Sequence, residues 1–111
     1  MMHLPEEGML LRIFIGESDK YKGKALYETI VIKARELNLA GATVIRGIMG
    51  FGAHSRIHTA KLLALSEDMP VIIEIVDTEE KLNSFLPFLD EIMKSGMITM
   101  EKARIIRYRH E

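Results

Sequence analysis

The residues with the most chemistry to offer are glycines, two arginines and one carboxylate. Gly47, Gly50 and Gly52 fall within six residues, directly after an apolar stretch. Glycine tolerates positive φ and lets backbone N–H groups approach an anion, so this spacing suits a phosphate or ribose; a bulge and a surface loop are the plainer alternative. Arg107 and Arg109 stand two apart. On a strand they would share one face and could fork onto a phosphate. Glu74 lies among Val71, Ile72, Ile73, Ile75 and Val76. A carboxylate there must pair with a base, stay near water or titrate upward; a local Arg or Lys is the ordinary partner, a ligand the sharper one. His54 and His58 are four apart, a spacing that on a helix could hold a metal, yet no Cys or acidic pair completes a set. Drawing Glu74 and His54 as an acid–base pair lacks both a nucleophile motif and anything that places the two together, so no enzyme is expected.

Composition narrows the class. A chain of 111 residues predicts a single domain over 1–111. Net charge is −1 with 28% charged residues, which gives no basic excess for nucleic acid. No Trp and few Phe or Tyr argue against a base-stacking platform. Cysteine is absent, so neither disulfides nor thiol chemistry operate. No apolar run approaches the ~20 residues that span a bilayer, and the first residues lack a signal-peptide pattern, so a soluble cytoplasmic protein is expected.

The elements that must position these residues are readable in order. Residues 9–16 predict a strand with Leu11, Ile13 and Ile15 on one face and Leu10, Arg12 and Phe14 on the other. A polar turn follows, then a helix over residues 24–38 on a Leu26, Ile30, Ala34, Leu37 stripe, with Asn38 and Gly41 as stop signals. The second strand covers 43–49, and residues 51–69 read as a long loop in which Leu62, Leu63 and Leu65 could form a short strand. Residues 70–77 predict the third strand. Asp77 is the expected N-cap of a second helix that runs to residue 94 through Pro87, where a kink is expected. Gly96 suits a left-handed cap, and the last strand falls within 99–108, best supported over 103–108. The order is βαββαβ, an α+β ferredoxin-like antiparallel sheet with both helices on one face.

A lone sheet of this kind meets water on its other face and should alternate apolar with polar residues. Leu10, Phe14, Ile72 and Val76 break that rule. At ~25 cal/mol per Å² of apolar burial, hiding this face against other copies predicts a homo-oligomer packed sheet to sheet.

These pieces resemble the nitrogen-regulatory PII superfamily, specifically its small PII-like branch. Gly41-Ala42-Thr43-Val44, Arg46-Gly47 and Phe51-Gly52 are similar to the PII strand that enters the nucleotide loop, with Ile48-Met49-Gly50 as an insertion. Glu74-Ile75-Val76 resembles the acidic third-strand motif. Gly96-Met97-Ile98 with Lys102 resembles the phosphate-gripping loop, and Arg107 and Arg109 resemble the C-terminal arginines. The resemblance implies a homotrimer with adenine nucleotide in clefts between subunits. Its contacts would be Gly41, Thr43, Gly47, Gly50, Phe51, Gly52, Glu74, Ile75, Val76, Gly96, Lys102, Arg107 and Arg109. It also implies regulation of a partner, such as a transporter, through the long loop. Thr99, Met100 and Glu101 stand where the family has glycines and an aspartate, and Glu101 would repel a triphosphate, so AMP or ADP is expected over Mg-ATP. No metal is expected; a divalent-metal trimer like the cation-tolerance proteins, or a purely structural oligomer, is the alternative.

Overall fold

The computed structural model describes residues 6–52 and 68–109. Among these residues four strands form the main sheet: β1 (Glu7–Gly16), β4 (Thr43–Arg46), β5 (Pro70–Asp77) and β6 (Met97–Arg104). A two-residue ribbon, β2 (Lys20–Tyr21) with β3 (Lys24–Ala25), fills the turn after β1. Helix α1 (Leu26–Glu36) follows the first strand of the main sheet, and α2 (Glu79–Ile92) the third. The sheet order is β4-β5-β1-β6 with every neighbouring pair antiparallel, which is the ferredoxin-like arrangement expected from the element order.

The period-two pattern decides which side of the sheet is covered. Leu11, Ile13 and Ile15 of β1 and Val71, Ile73 and Ile75 of β5 are all buried. Leu26, Ile30 and Ala34 of α1, with Leu82, Phe85, Leu89 and Ile92 of α2, complete that core, so both helices lie on this face. Leu37 does not join the α1 stripe; it is 40% exposed because the helix has ended, and Leu39 is buried instead. Asn38 takes φ +59°, the left-handed turn that closes α1.

Several expected boundaries move. The second strand stops at Arg46 rather than at residue 49, and the helix before it begins at Leu26 rather than at residue 24. The last strand runs Met97–Arg104, which overlaps the expected window of 99–108 but reaches only the first two residues of its best-supported part, 103–108. Its partner β1 begins at Glu7, opposite Arg104, and the two strands end together there. Arg107 and Arg109 therefore do not share a strand face. The N-cap of α2 is Thr78, whose hydroxyl accepts from Lys81 N–H at 3.2 Å. Asp77 points into the core side instead, because it shares the parity of Ile73 and Ile75. Helix α2 runs unbroken through Pro87. The short strand expected around residues 62–65 lies outside the described residues.

Gly96 is required by the packing. Its φ is +111°, and a Cβ there would come within 2.5 Å of the Phe14 carbonyl oxygen. Gly96→Ala is expected to lower stability by about 1–3 kcal/mol, read by urea denaturation. An unchanged midpoint would show that the turn entering β6 relaxes freely.

Candidate functional site

Strand register fixes where each candidate residue stands. On the face turned from the helices, Thr43 is opposite Glu74, Glu74 opposite Arg12, and Arg12 opposite Thr99. Arg12 is the partner that Glu74 requires: its Nε donates to Glu74 Oε2 at 2.9 Å, and its Nη1 donates to Glu101 Oε1 at 2.6 Å. The hydrogen bond with Glu74 is the largest cause raising the Arg12 pKa above its usual value, against a smaller opposing effect of burial, with Glu101 adding to the rise. Two carboxylates around one guanidinium leave this triad one net negative charge, which disfavours a phosphate beside it.

Around the triad the open face is apolar. Ile45, Ile72, Phe14 and Met97 form one cross-strand row, and Val76 pairs with Leu10 on the far side of the Arg12–Glu74 row. In a single copy Ile45 is 42% and Met97 56% exposed. The expectation of a second apolar face is met.

The glycine-rich run lies at one end of the sheet. Gly47 N–H donates to Pro70 O at 2.7 Å, and a Cβ on Gly47 would meet the Pro70 ring at 2.6 Å. Close approach to β5 thus accounts for Gly47. Gly50 also lies over Pro70, and Phe51 and Gly52 follow it, with Ile48, Met49 and Phe51 strongly exposed. Gly96, against Phe14, is at this same end, because Phe14 pairs with Ile72 and Met97.

The other end holds a different set. The β4 ladder ends at Thr43 opposite Glu74, while β5 continues to Asp77, so Ile75 and Val76 run on beside the segment that contains Gly41. The Ile75 side chain is 1% exposed, which leaves its backbone as the part a ligand could reach. A Cβ on Gly41 would meet nothing within 4 Å; this glycine is not explained by crowding. Lys102 pairs with Met9 and lines a shallow cleft of about 710 Å³ with Glu79 and Arg104. Arg107 and Arg109 line an adjoining cleft of about 390 Å³ with Arg104, Tyr108 and Glu6. At ~3.3 Å per strand residue, the seven steps from Pro70 to Asp77 separate the two ends by roughly 20 Å. Within one chain the candidate contacts therefore form two separate groups, with Thr43 and Glu74 between them.

Sequence reasoning missed Arg12 and Tyr108. Arg12 stood on the open face of β1, a usable signal, but its register to Glu74 was not readable. Tyr108 alternates with two arginines, and its hydroxyl donates to Ala40 O at 3.0 Å. Among the described residues no group of three or more His, Cys, Asp or Glu could hold a metal, and His54 and His58 lie outside them. No described helix is long and apolar enough to cross a membrane.

The fold is that of PII-like proteins. CPII from Thiomonas intermedia K12, solved bound to ADP, AMP and acetate, superposes with a TM-score of 0.61 at 17% identity, over 91% of this chain and 90% of that one. A PII-like signaling protein from Thermus thermophilus gives 0.62 at 16% identity, over 90% of each chain. Among relatives by sequence, a UPF0166 protein of Aquifex aeolicus is 41% identical over 99 residues, 87% of this chain and 91% of the relative. A second, from Methanocaldococcus jannaschii, is 35% identical over 99 residues, 88% and 91% of the respective lengths. The model of DUF190, described as "Uncharacterized ACR, COG1993", matches residues 8–105. With nearly the whole sheet and both helices inside that match, the chain belongs to the DUF190 (UPF0166) family of PII-like fold.

Proposed function

We propose that this protein is a PII-like regulator that binds AMP or ADP between the subunits of a homotrimer and acts on a partner protein through residues 51–69. The observation that carries the reading is the pairing of an apolar open sheet face with candidate contacts divided between the two ends of one subunit. Packing open faces together hides Phe14, Ile45, Ile72 and Met97, and at each seam one subunit's glycine-rich end can meet another's arginine-bearing end. The nucleotide would then be held by Gly41, Thr43, Lys102, Arg107, Arg109 and the strand segment Glu74, Ile75 and Val76 from one side. Gly47, Gly50, Phe51, Gly52 and Gly96 would close the other. The negative triad on the sheet face favours placing the phosphates toward the arginines. The bound ADP and AMP of CPII support this ligand class for the fold.

A regulator rather than a catalyst fits the lack of a nucleophile motif, and the exposed Ile48, Met49 and Phe51 at the root of the long loop fit docking to a protein such as a transporter. A cytoplasmic site of action accords with the ligand.

Calorimetric titration with AMP, ADP and ATP, together with light scattering, tests the proposal. Binding of AMP or ADP to a trimer supports it; no heat with any of the three sinks it. Arg107→Ala should weaken ADP binding about tenfold or more, the worth of a charge-assisted phosphate contact, while leaving the trimer intact. Unchanged affinity would move the phosphates elsewhere.

A further inference from the structure

Ala40 is gripped from both sides. Its N–H donates to Oδ2 of the buried Asp77 at 2.8 Å, and its carbonyl accepts from the Tyr108 hydroxyl at 3.0 Å, across 68 residues of chain. Tyr108 belongs to the segment 105–109 that follows β6. The other end of that segment is fastened too: Ile105 N–H donates to the Glu6 carbonyl. The Ile105 side chain covers Gly8 so closely that a Cβ there would come within 2.6 Å of its Cδ1. The segment is thus a strap leading from the β6 edge to the junction of α1 and β4. It passes the ends of β1 and β5, where Gly8 and Asp77 stand.

Between these fasteners the strap makes little contact of its own. Ile106 is 80% exposed, and Arg107 and Arg109 are exposed on either side of the half-buried Tyr108. Arginine side chains on a loose segment would lose much rotamer and backbone entropy on gripping a phosphate. A segment held at Tyr108 has already lost part of it. We infer that Tyr108 is a positioning residue: its hydroxyl latches the strap to Ala40 and so holds Arg107 and Arg109 over the cleft they line with Glu6 and Arg104. The latch selects for the phosphate part of the ligand, because the groups it positions are cationic and the base is met by other residues. This inference rests on the adenine-nucleotide reading above and adds to it a residue to which the resemblance gives no role.

Tyr108→Phe removes the hydroxyl and keeps the ring, so the fold is retained. NMR titrations, which reach millimolar affinities, compare ADP with adenosine for the parent and the variant. The expected result is a roughly five- to tenfold loss for ADP, the worth of one hydrogen bond, with adenosine unchanged. Amide exchange over residues 106–109 should also be faster in the ligand-free variant. Equal weakening of ADP and adenosine would show a merely structural residue and overturn the inference, as would unchanged ADP affinity. Failure of the parent itself to bind ADP is a different result: it removes the nucleotide reading, and this inference with it.

Discussion

Phe14→Asp is expected to run as a monomer in light scattering, and the parent as the proposed trimer. Phe14 lies on the open face toward the end that carries the glycine-rich run, opposite Ile72 on one side and Met97 on the other, with Ile45 one strand further. In an isolated subunit an aspartate here is half solvated and costs little. In a sheet-to-sheet assembly it is enclosed without a partner, because the nearest guanidinium, Arg12, is already bonded to Glu74 and Glu101. An unpaired buried charge costs several kcal/mol; at about 3 kcal/mol per site each interface weakens by roughly a hundredfold, and three such sites dissolve the ring. Ile32→Asp is the control. Ile32 is 57% exposed on α1, so a charge there should leave the mass unaltered. A parent and a Phe14→Asp variant of the same mass would remove the open face from the assembly, and with it the clefts where the nucleotide is placed.

The fold was legible because each element carries its own periodicity. Leu11, Ile13 and Ile15 repeat at two, and Leu82, Phe85, Leu89 and Ile92 at three and four, so their inward faces follow from position alone. What could not be read depended on a distant partner. The stretch 103–108 has the apolar content of a strand, yet β6 ends at Arg104, the residue paired with Glu7 at the start of β1. The same limit applies at Glu74, where the need for a base was plain but the choice of Arg12, 62 residues away, is set by register. The candidate glycines show a third limit. A glycine spared for a ligand and a glycine demanded by packing look alike in sequence; Gly47 and Gly96 prove to be crowded by Pro70 and Phe14, whereas Gly41 is not.

The adjoining pair Asp77 and Thr78 shows how such an ambiguity becomes an energetic difference. Either residue satisfies the pattern of an N-cap, and the structure gives the cap to Thr78. Asp77 is 0% exposed and accepts from two backbone donors, Ala40 N–H at 2.8 Å and Thr78 N–H at 2.7 Å. Asp77→Ala removes both acceptors, strands two amides and leaves the strap's anchor at Ala40 without its inner support. Hydrogen bonds to a charged group contribute about 1.5–3 kcal/mol each, and partial access of water to Ala40 offsets some of the loss, so the expected cost is about 3 kcal/mol. For a domain of this size that corresponds to a fall in Tm of roughly 15 °C. Thr78→Ala should cost only about 1 kcal/mol, the usual worth of a cap. Calorimetric melting of the two variants side by side separates the roles. Equal losses would mean that Asp77 is doing no more than a cap does, and that the junction of α1 and β4 is held in place by something other than its carboxylate.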